Sequence, residues 1–139
     1  RTHGDYHLGQ VLVTPEDDFV IIDFEGEPAR PLVERRQKGL ALRDVAGMLR
    51  SLAYAAATMR KRRVSPVIDA WETAASVAFL DGWLSGVADS PAAPVNEDEA
   101  RRILQFFLIE KAIYEISYEL NHRPEWVDIP LSGLRALMR

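Results

Sequence analysis

The spacing of the apolar residues changes at Leu42, and this change limits the fold more than any other feature. Before Leu42, β-branched residues cluster in residues 11–14 and 19–23, on either side of the polar stretch PEDD. Two such runs joined by a polar turn predict a β-hairpin. The turn has no Asn-Gly or Asp-Gly, so we expect it to exceed two residues. From Leu42 onward, apolar residues recur at steps of three and four, which predicts amphipathic helices.

Local start and stop signals divide this second part into about four helices. The first follows Leu42, with Asp44 near its start, where a carboxylate is more typical of a helix cap than of a catalytic group. Ser65 is the predicted cap of the second, ahead of Pro66. Asn96 forms a capping-box pattern before the third, at residues 97–121. A short last helix has Pro130 near its start.

Between the hairpin and the helices lies EPARPLVERRQKG, which is rich in breakers and charges and is predicted to be irregular. The second helix is predicted to turn an apolar stripe inward, and the three Trp are predicted to pack in the core or at its rim. The stripe consists of Ile68, Trp71, Ala75, Ala78 and Phe79. The predicted fold class is α+β, mostly α.

The composition is typical of one globular domain or one lobe of a larger one. The chain has 139 residues, of which 47% are hydrophobic and 27% are charged. Its net charge of −4 argues against nucleic acid as a partner. The absence of Cys excludes disulfides and thiolate metal sites and is compatible with a cytoplasmic location. No run of about 18 apolar residues is present, so no membrane span is predicted.

The chain begins with Arg1 rather than Met, and its most chemically dense stretch, RTHGDYHLGQ, comes first. Active sites need supporting structure on all sides. We therefore expect this chain to be the C-terminal part of a longer protein and to be inactive alone.

Three oxygen-bearing side chains are predicted to meet at one end of the hairpin. Asp5 and Gln10 precede it and Asp23 ends it, so a folded-back ribbon brings all three together. Oxygen ligands suit Mg²⁺. Asp23 and the amide carbonyl of Gln10 are candidate ligands, while Asp5 is a candidate acceptor for a substrate proton, as phosphoryl transfer requires.

Two other interpretations of the same residues stay open. Asp5 and Asp23 are also the residue type found in ordinary turns and caps. His3, Asp5 and His7 have a tolerable spacing for a zinc site. The one remaining His is His122, far along the chain, so a second His pair is absent from the sequence.

The motifs HGDYHLGQ and IIDFEGEP resemble those of the aminoglycoside phosphotransferase-like kinases, and among them most closely the maltokinases, free-standing or fused to trehalose synthase. The resemblance continues through LRDVAGMLRS and EKAIYEISYELNHRPEWVDIPL and covers nearly the whole chain. It implies the C-terminal lobe of a protein-kinase-like fold, with the catalytic loop at residues 3–10, the hairpin at 11–23 and a metal-binding DFEG at 23–26. The N-terminal ATP-binding lobe would lie upstream.

The resemblance implies transfer of phosphate from ATP to the anomeric hydroxyl of maltose, in glycogen- and trehalose-linked metabolism. It implies that Asp5 is the catalytic base and that Gln10 and Asp23 bind Mg²⁺, with Glu25 as a further ligand. His3 would brace the catalytic loop. Gln10 departs from the Asn of many relatives, which shifts the metal or the loop slightly.

The resemblance also implies a sugar site on the third helix. Lys111, Tyr114 and Glu115 match a Lys-x-x-Tyr-Glu substrate motif, and His7 would contact substrate or loop. With Tyr118 these helical residues share one face, which offers charged groups for hydroxyls and an aromatic ring for a C–H face. The plain alternative is an amphipathic helix with a surface Glu–Lys pair.

Two alternatives for the function remain. The acceptor could be an aminoglycoside, choline or another small hydroxyl compound, although Lys111 argues against a polycation. The chain could instead be a non-catalytic pseudokinase module of a trehalose synthase fusion.

Overall fold

The computed structural model describes residues 2–28 and 30–138, so Arg1, Ala29 and Arg139 lie outside the described residues. The described part is mostly helical, with one β-hairpin followed by five α-helices. The predicted fold class, α+β and mostly α, is therefore confirmed. Within these residues, every helix is too short or too polar to cross a membrane.

The hairpin pairs β1 (Val11–Val13) with β2 (Phe19–Ile21) in an antiparallel register that places Val11 opposite Ile21. Its turn spans residues 14–18 and is closed by the Thr14 amide, which donates to the Asp18 carbonyl at 2.8 Å. The turn is longer than two residues, as predicted. β1 ends before Thr14, whose side chain accepts amide hydrogen bonds within the turn. β2 ends at Ile21 rather than at Asp23, because Asp23 has a positive φ and is not extended.

The α-helices are α1 (Leu32–Arg35), α2 (Leu42–Arg62), α3 (Pro66–Val87), α4 (Glu97–His122) and α5 (Asp128–Leu137). Two 3₁₀ turns, Leu8–Gln10 and Pro124–Trp126, complete the described elements. The short α1 lies in the segment predicted to be irregular. It follows Pro31, whose ring restricts the backbone just before the first turn, and four residues are too few for any apolar period to show.

The apolar core forms around α2, which packs against both α3 and α4, while α4 also packs against α5. Small and aliphatic side chains of α2 supply most of the buried apolar surface. The buried apolar residues are Val45, Ala46, Met48, Leu52, Ala56, Phe107, Ala112 and Ile129. The central position of α2 lets it carry side chains that reach both the loop of residues 3–10 and α4.

The prediction that α3 buries an inner apolar stripe is wrong. No residue of α3 is buried, and the side chain of Trp71 is 45% exposed. Trp83 and Trp126 are only partly exposed, as rim residues are. The reason is that α3 packs closely against α2 alone among the described elements, so one helix partner covers only part of its apolar surface.

The two predicted caps behave differently. The Asn96 side chain accepts a hydrogen bond from the Glu99 amide at 3.0 Å, which confirms the cap of α4. Ser65 occupies the cap position of α3, with Pro66 next, but its side chain makes no capping hydrogen bond.

This contrast gives a stability prediction. Asn96→Ala in the full-length protein should lower the free energy of unfolding by about 1 kcal/mol, because the Glu99 amide loses its acceptor. Ser65→Ala is the matched control and should change it little. Denaturant unfolding of both variants measures the difference, and equal losses would contradict the assignment of the cap.

Candidate active site

Asp44 of α2 holds the start of the predicted catalytic loop. Its carboxylate accepts the backbone amides of His3 at 2.6 Å and Gly4 at 2.8 Å. The helix-cap interpretation of Asp44 is therefore wrong, since its oxygens bind a segment about 40 positions away. Gly47, one turn later, permits the close approach: a Cβ there would lie 2.5 Å from the carbonyl oxygen of Tyr6. No local sequence pattern indicates this anchoring role, because the bound amides lie about 40 positions away.

His3 connects this loop to the end of the hairpin. Its Nδ1 accepts the backbone amide of Asp5 at 3.3 Å, so Nε2 carries the hydrogen and donates to the Ile22 carbonyl at 2.8 Å. The ring is buried and lies 4.8 Å from the ring of Phe24, centroid to centroid. These contacts are those expected of a residue that braces the loop.

Each carboxylate oxygen of Asp5 has its own neighbour. Lys111 Nζ of α4 lies 3.3 Å from Oδ1, and His7 Nε2 lies 3.8 Å from Oδ2. His7 Nδ1 accepts the Gly9 amide at 3.0 Å, which leaves the hydrogen of a neutral ring on Nε2, facing Asp5. The structure therefore brings Lys111 of α4 to the neighbouring predicted site residues Asp5 and His7, 106 positions from Asp5 in the sequence.

The predicted metal ligands Gln10 and Asp23 lie next to each other. Gln10 Nε2 donates to Asp23 Oδ2 at 3.1 Å, and the Ile22 amide donates to the Gln10 carbonyl at 2.9 Å. Asp23 has a φ of 63°, so the chain leaves the strand direction at this residue. Hairpin pairing therefore brings these two side chains together, as the sequence suggested.

The third member of the predicted oxygen cluster is more distant. Among the described residues, no hydrogen bond joins Asp5 to Gln10 or Asp23, and His3 provides the link between them. The exposed Glu25 likewise makes no described hydrogen bond to either predicted ligand.

Asp23 offers a carboxylate and Gln10 an amide, and both suit Mg²⁺, which uses one or two carboxylates and takes further oxygens from phosphates and water. Gln10 Nε2 faces Asp23, so the Gln10 carbonyl oxygen joins Asp23 on one ion only after the amide flips. The described residues contain no group of three or more His, Asp or Glu placed to hold a metal. This arrangement gives no support to the zinc alternative based on His3, Asp5 and His7.

A groove of about 530 Å³ runs between α2 and α4 beside the predicted catalytic loop. Asp5 and His7 of the loop line it together with Lys111, Tyr114 and Glu115 of α4. All the residues predicted to bind sugar therefore face one space, together with the predicted base. The groove also has lining residues that sequence analysis did not select, namely Tyr54, Glu119 and Arg123.

Two ion pairs hold the wall of this groove, and the first of them is buried. Arg50 of α2 is buried and binds Glu115 through two hydrogen bonds, of 2.6 and 3.3 Å. A surface pair between Glu115 and Lys111, the plain alternative for this helix face, is therefore not what forms. Since Arg50 is buried, this bidentate pair is shielded from solvent and keeps its orientation.

A second ion pair follows one turn later on α4. Glu119 is 2% exposed, accepts the Tyr54 hydroxyl at 2.6 Å and receives two hydrogen bonds from Arg123. Burial and the hydrogen bond to Glu119 raise the pKa of Tyr54. Lys111, Glu115 and Glu119 recur at steps of four residues, so they lie on one face of α4. This spacing is the sequence signal from which the groove wall could have been predicted.

Tyr114 presents a protonated phenol to the groove. Burial, followed by the charge of Glu27, raises the pKa of Tyr114 to about 12. Its ring also lies under the ammonium of Lys111, 4.7 Å from the centroid. A phenol is protonated at neutral pH even without this shift, so the hydroxyl is a hydrogen-bond donor there.

Comparison with known proteins gives a consistent set of relatives. The glucosamine kinase of Streptacidiphilus jiangxiensis is 32% identical over 139 residues, covering 98% of this chain and 31% of that protein. The glucosamine kinase of Mycolicibacterium smegmatis (strain ATCC 700084 / mc(2)155) is 31% identical over 138 residues, covering 98% of this chain and 34% of that protein. No protein-family model matches.

Solved structures match over the same length. Crystal form B of a glucosamine kinase superposes with a TM-score of 0.84 at 32% identity, covering 98% of this chain and 34% of that one. The fold is kinase-like. A glucosamine kinase in complex with glucosamine, ADP and inorganic phosphate gives a TM-score of 0.83 at 32% identity, with the same coverage.

The kinase-like fold confirms the fold predicted from the motifs. This chain spans about a third of the length of the curated relatives it matches. The matches support homology to sugar kinases, and they give no support to the maltokinases in particular.

Proposed function

We propose that the full-length protein is an ATP-dependent sugar kinase, in which this kinase-like chain supplies the catalytic base, the sugar groove and the metal ligands. The observation that carries the proposal is the groove, where Asp5 shares one space with Lys111, Tyr114 and Glu115. The adjacent Gln10 and Asp23 supply oxygen ligands of the type needed near the phosphates. The relatives support the same class of reaction.

The proposed substrate is glucosamine. The matched relatives are glucosamine kinases, and one matched structure contains glucosamine and ADP. The groove suits an amino sugar because the Glu115 carboxylate lines it and is able to accept further hydrogen bonds beyond those from Arg50.

Maltose is the second candidate, together with a fused trehalose synthase domain in the parent protein. The observation that favours it is that Lys111, Tyr114 and Glu115, which match the maltokinase-like substrate motif, all line the groove.

In the proposed reaction, a sugar hydroxyl attacks the γ-phosphorus of ATP. The new O–P bond forms as the bond to the ADP oxygen breaks, and Asp5 takes the hydroxyl proton. When bound, Mg²⁺ supplies positive charge that neutralises the phosphate oxygens, and Gln10, Asp23 and Glu25 are the residues proposed to hold it. His3 holds the Asp5 backbone in place through its hydrogen bond.

The remaining predicted residues are proposed to contact the sugar. Tyr114 lines the groove, and its hydroxyl, which is protonated at neutral pH as any phenol is, donates a hydrogen bond. Glu115 accepts from hydroxyl or amine groups, while His7 directs its Nε2 hydrogen toward Asp5 and the reacting hydroxyl.

A substrate panel tests the proposal. The full-length protein, given ATP and Mg²⁺, should phosphorylate glucosamine with a higher kcat/KM than maltose, glucose, choline or an aminoglycoside. Mass spectrometry of the sugar phosphate and coupled ADP release measure the reaction. A preference for maltose would replace the proposed substrate. Failure to phosphorylate any of them by a folded, ATP-binding protein would instead favour the non-catalytic module.

A further inference from the structure

The carboxylates of the groove differ in the geometry of their ion pairs. Arg50 binds both oxygens of Glu115, and Arg123 binds both oxygens of Glu119. Asp5 instead meets a lysine, whose ammonium lies at Oδ1 alone. The forked partners thereby fix the orientation of the two glutamates through both oxygens, whereas among the described residues Asp5 Oδ2 has only the ring nitrogen of His7 nearby, at 3.8 Å.

The Lys111 ammonium is held on two sides. It lies 3.3 Å from Asp5 Oδ1 and 4.7 Å from the centroid of the Tyr114 ring, which attracts a cation through its negative face. The side chains of Lys111 and Asp5 are only 24% and 19% exposed, so solvent screens their attraction less than at an open surface. A lysine ammonium only donates hydrogen bonds, so it does not compete for the substrate proton.

We propose that Lys111 is a positioning residue for Asp5 rather than a sugar ligand: it holds Oδ1 and so leaves Oδ2 to take the proton of the reacting hydroxyl. This inference rests on the proposed kinase function. In the step itself, the hydroxyl O–H bond breaks, the sugar oxygen bonds to the γ-phosphorus, the bond to ADP breaks, and the proton ends on Oδ2. Lys111 keeps its own protons throughout.

The two roles predict different kinetics. A sugar ligand that acts in the ground state raises KM when it is removed, whereas a residue that orients the base lowers kcat. Lys111→Met keeps most of the stem and removes the charge. We expect its kcat for glucosamine to fall by about 10²-fold, the loss typical of a misplaced catalytic group, with a nearly unchanged KM for the sugar.

A second variant separates this role from general damage to the fold. In Lys111→Ala the side chain is replaced by a gap, and added ethylammonium should restore part of kcat by occupying the place of the ammonium beside Oδ1. Lys38→Ala, at an exposed lysine outside the groove, is the matched control and should retain wild-type kinetics with and without the amine.

The outcomes are distinct. A wild-type protein that phosphorylates no sugar overturns the proposed function, and the inference with it. If the wild type is active, a raised KM with unchanged kcat in Lys111→Met overturns the inference alone and makes Lys111 a sugar ligand. A loss of kcat in Lys111→Ala that no alkylamine restores, in a variant whose melting temperature matches the wild type, also counts against it.

Discussion

Asp5→Asn in the full-length protein is expected to reduce kcat by about 10²–10⁴-fold, because an amide does not accept the proton of the attacking hydroxyl. ATP affinity should remain nearly intact, since no described hydrogen bond joins Asp5 to Gln10 or Asp23, the proposed metal ligands. Steady-state assays of the sugar phosphate give kcat, and calorimetric titration with ATP and Mg²⁺ gives the affinity.

Asp81→Asn is the control for this experiment, because Asp81 is an exposed carboxylate of α3 that does not line the groove. It should leave kcat unchanged. An Asp5→Asn variant with the wild-type turnover number would refute the assignment of the base. A large loss of ATP affinity would show instead that Asp5 belongs to the metal site.

Arg50→Met is expected to lower the free energy of unfolding by about 3–5 kcal/mol, the cost of removing one partner from a buried ion pair. Arg50 is 5% exposed, and the loss of its guanidinium leaves the largely buried Glu115 carboxylate without a cation. Denaturant unfolding of the full-length protein measures the change.

Two further variants show whether the ion pair is the cause. Arg101→Met removes an exposed arginine of α4 and should change stability by less than about 0.5 kcal/mol. Replacing both partners, as Arg50→Met with Glu115→Leu, should recover much of the loss because no unpaired charge remains. If Arg50→Met proves as stable as Arg101→Met, the pair does not stabilise the fold.

The local part of the fold was predictable because its signals act between near neighbours. Asn96 accepts the amide of Glu99 three positions later, and Thr14 closes a turn with Asp18 four positions later. The start of α2 at Leu42 follows from apolar spacing alone. These elements depend on contacts that the chain makes within one or two turns.

The wrong predictions concern helix faces whose surroundings are decided by tertiary packing. The apolar side chains of α3 favour burial, yet whether they are covered depends on how many elements pack against that helix. Trp71 therefore stays largely exposed. Likewise, Asp44 lies in the first turn of α2, where a carboxylate often caps the helix, but the loop of residues 3–10 lies close enough for its amides to bind that carboxylate.

In the candidate site, too, some features follow from local sequence and others depend on tertiary packing. Hairpin pairing places Gln10 beside Asp23, and helical spacing puts Lys111, Tyr114 and Glu115 on one face; the sequence by itself determined both, since each depends on local geometry. Only the tertiary structure decided the partner of each charge. Lys111 reaches Asp5 across 106 positions of the chain and Arg50 reaches Glu115 across 65, and periodicity does not encode such distant pairings because they depend on how α2, α4 and the catalytic loop pack together.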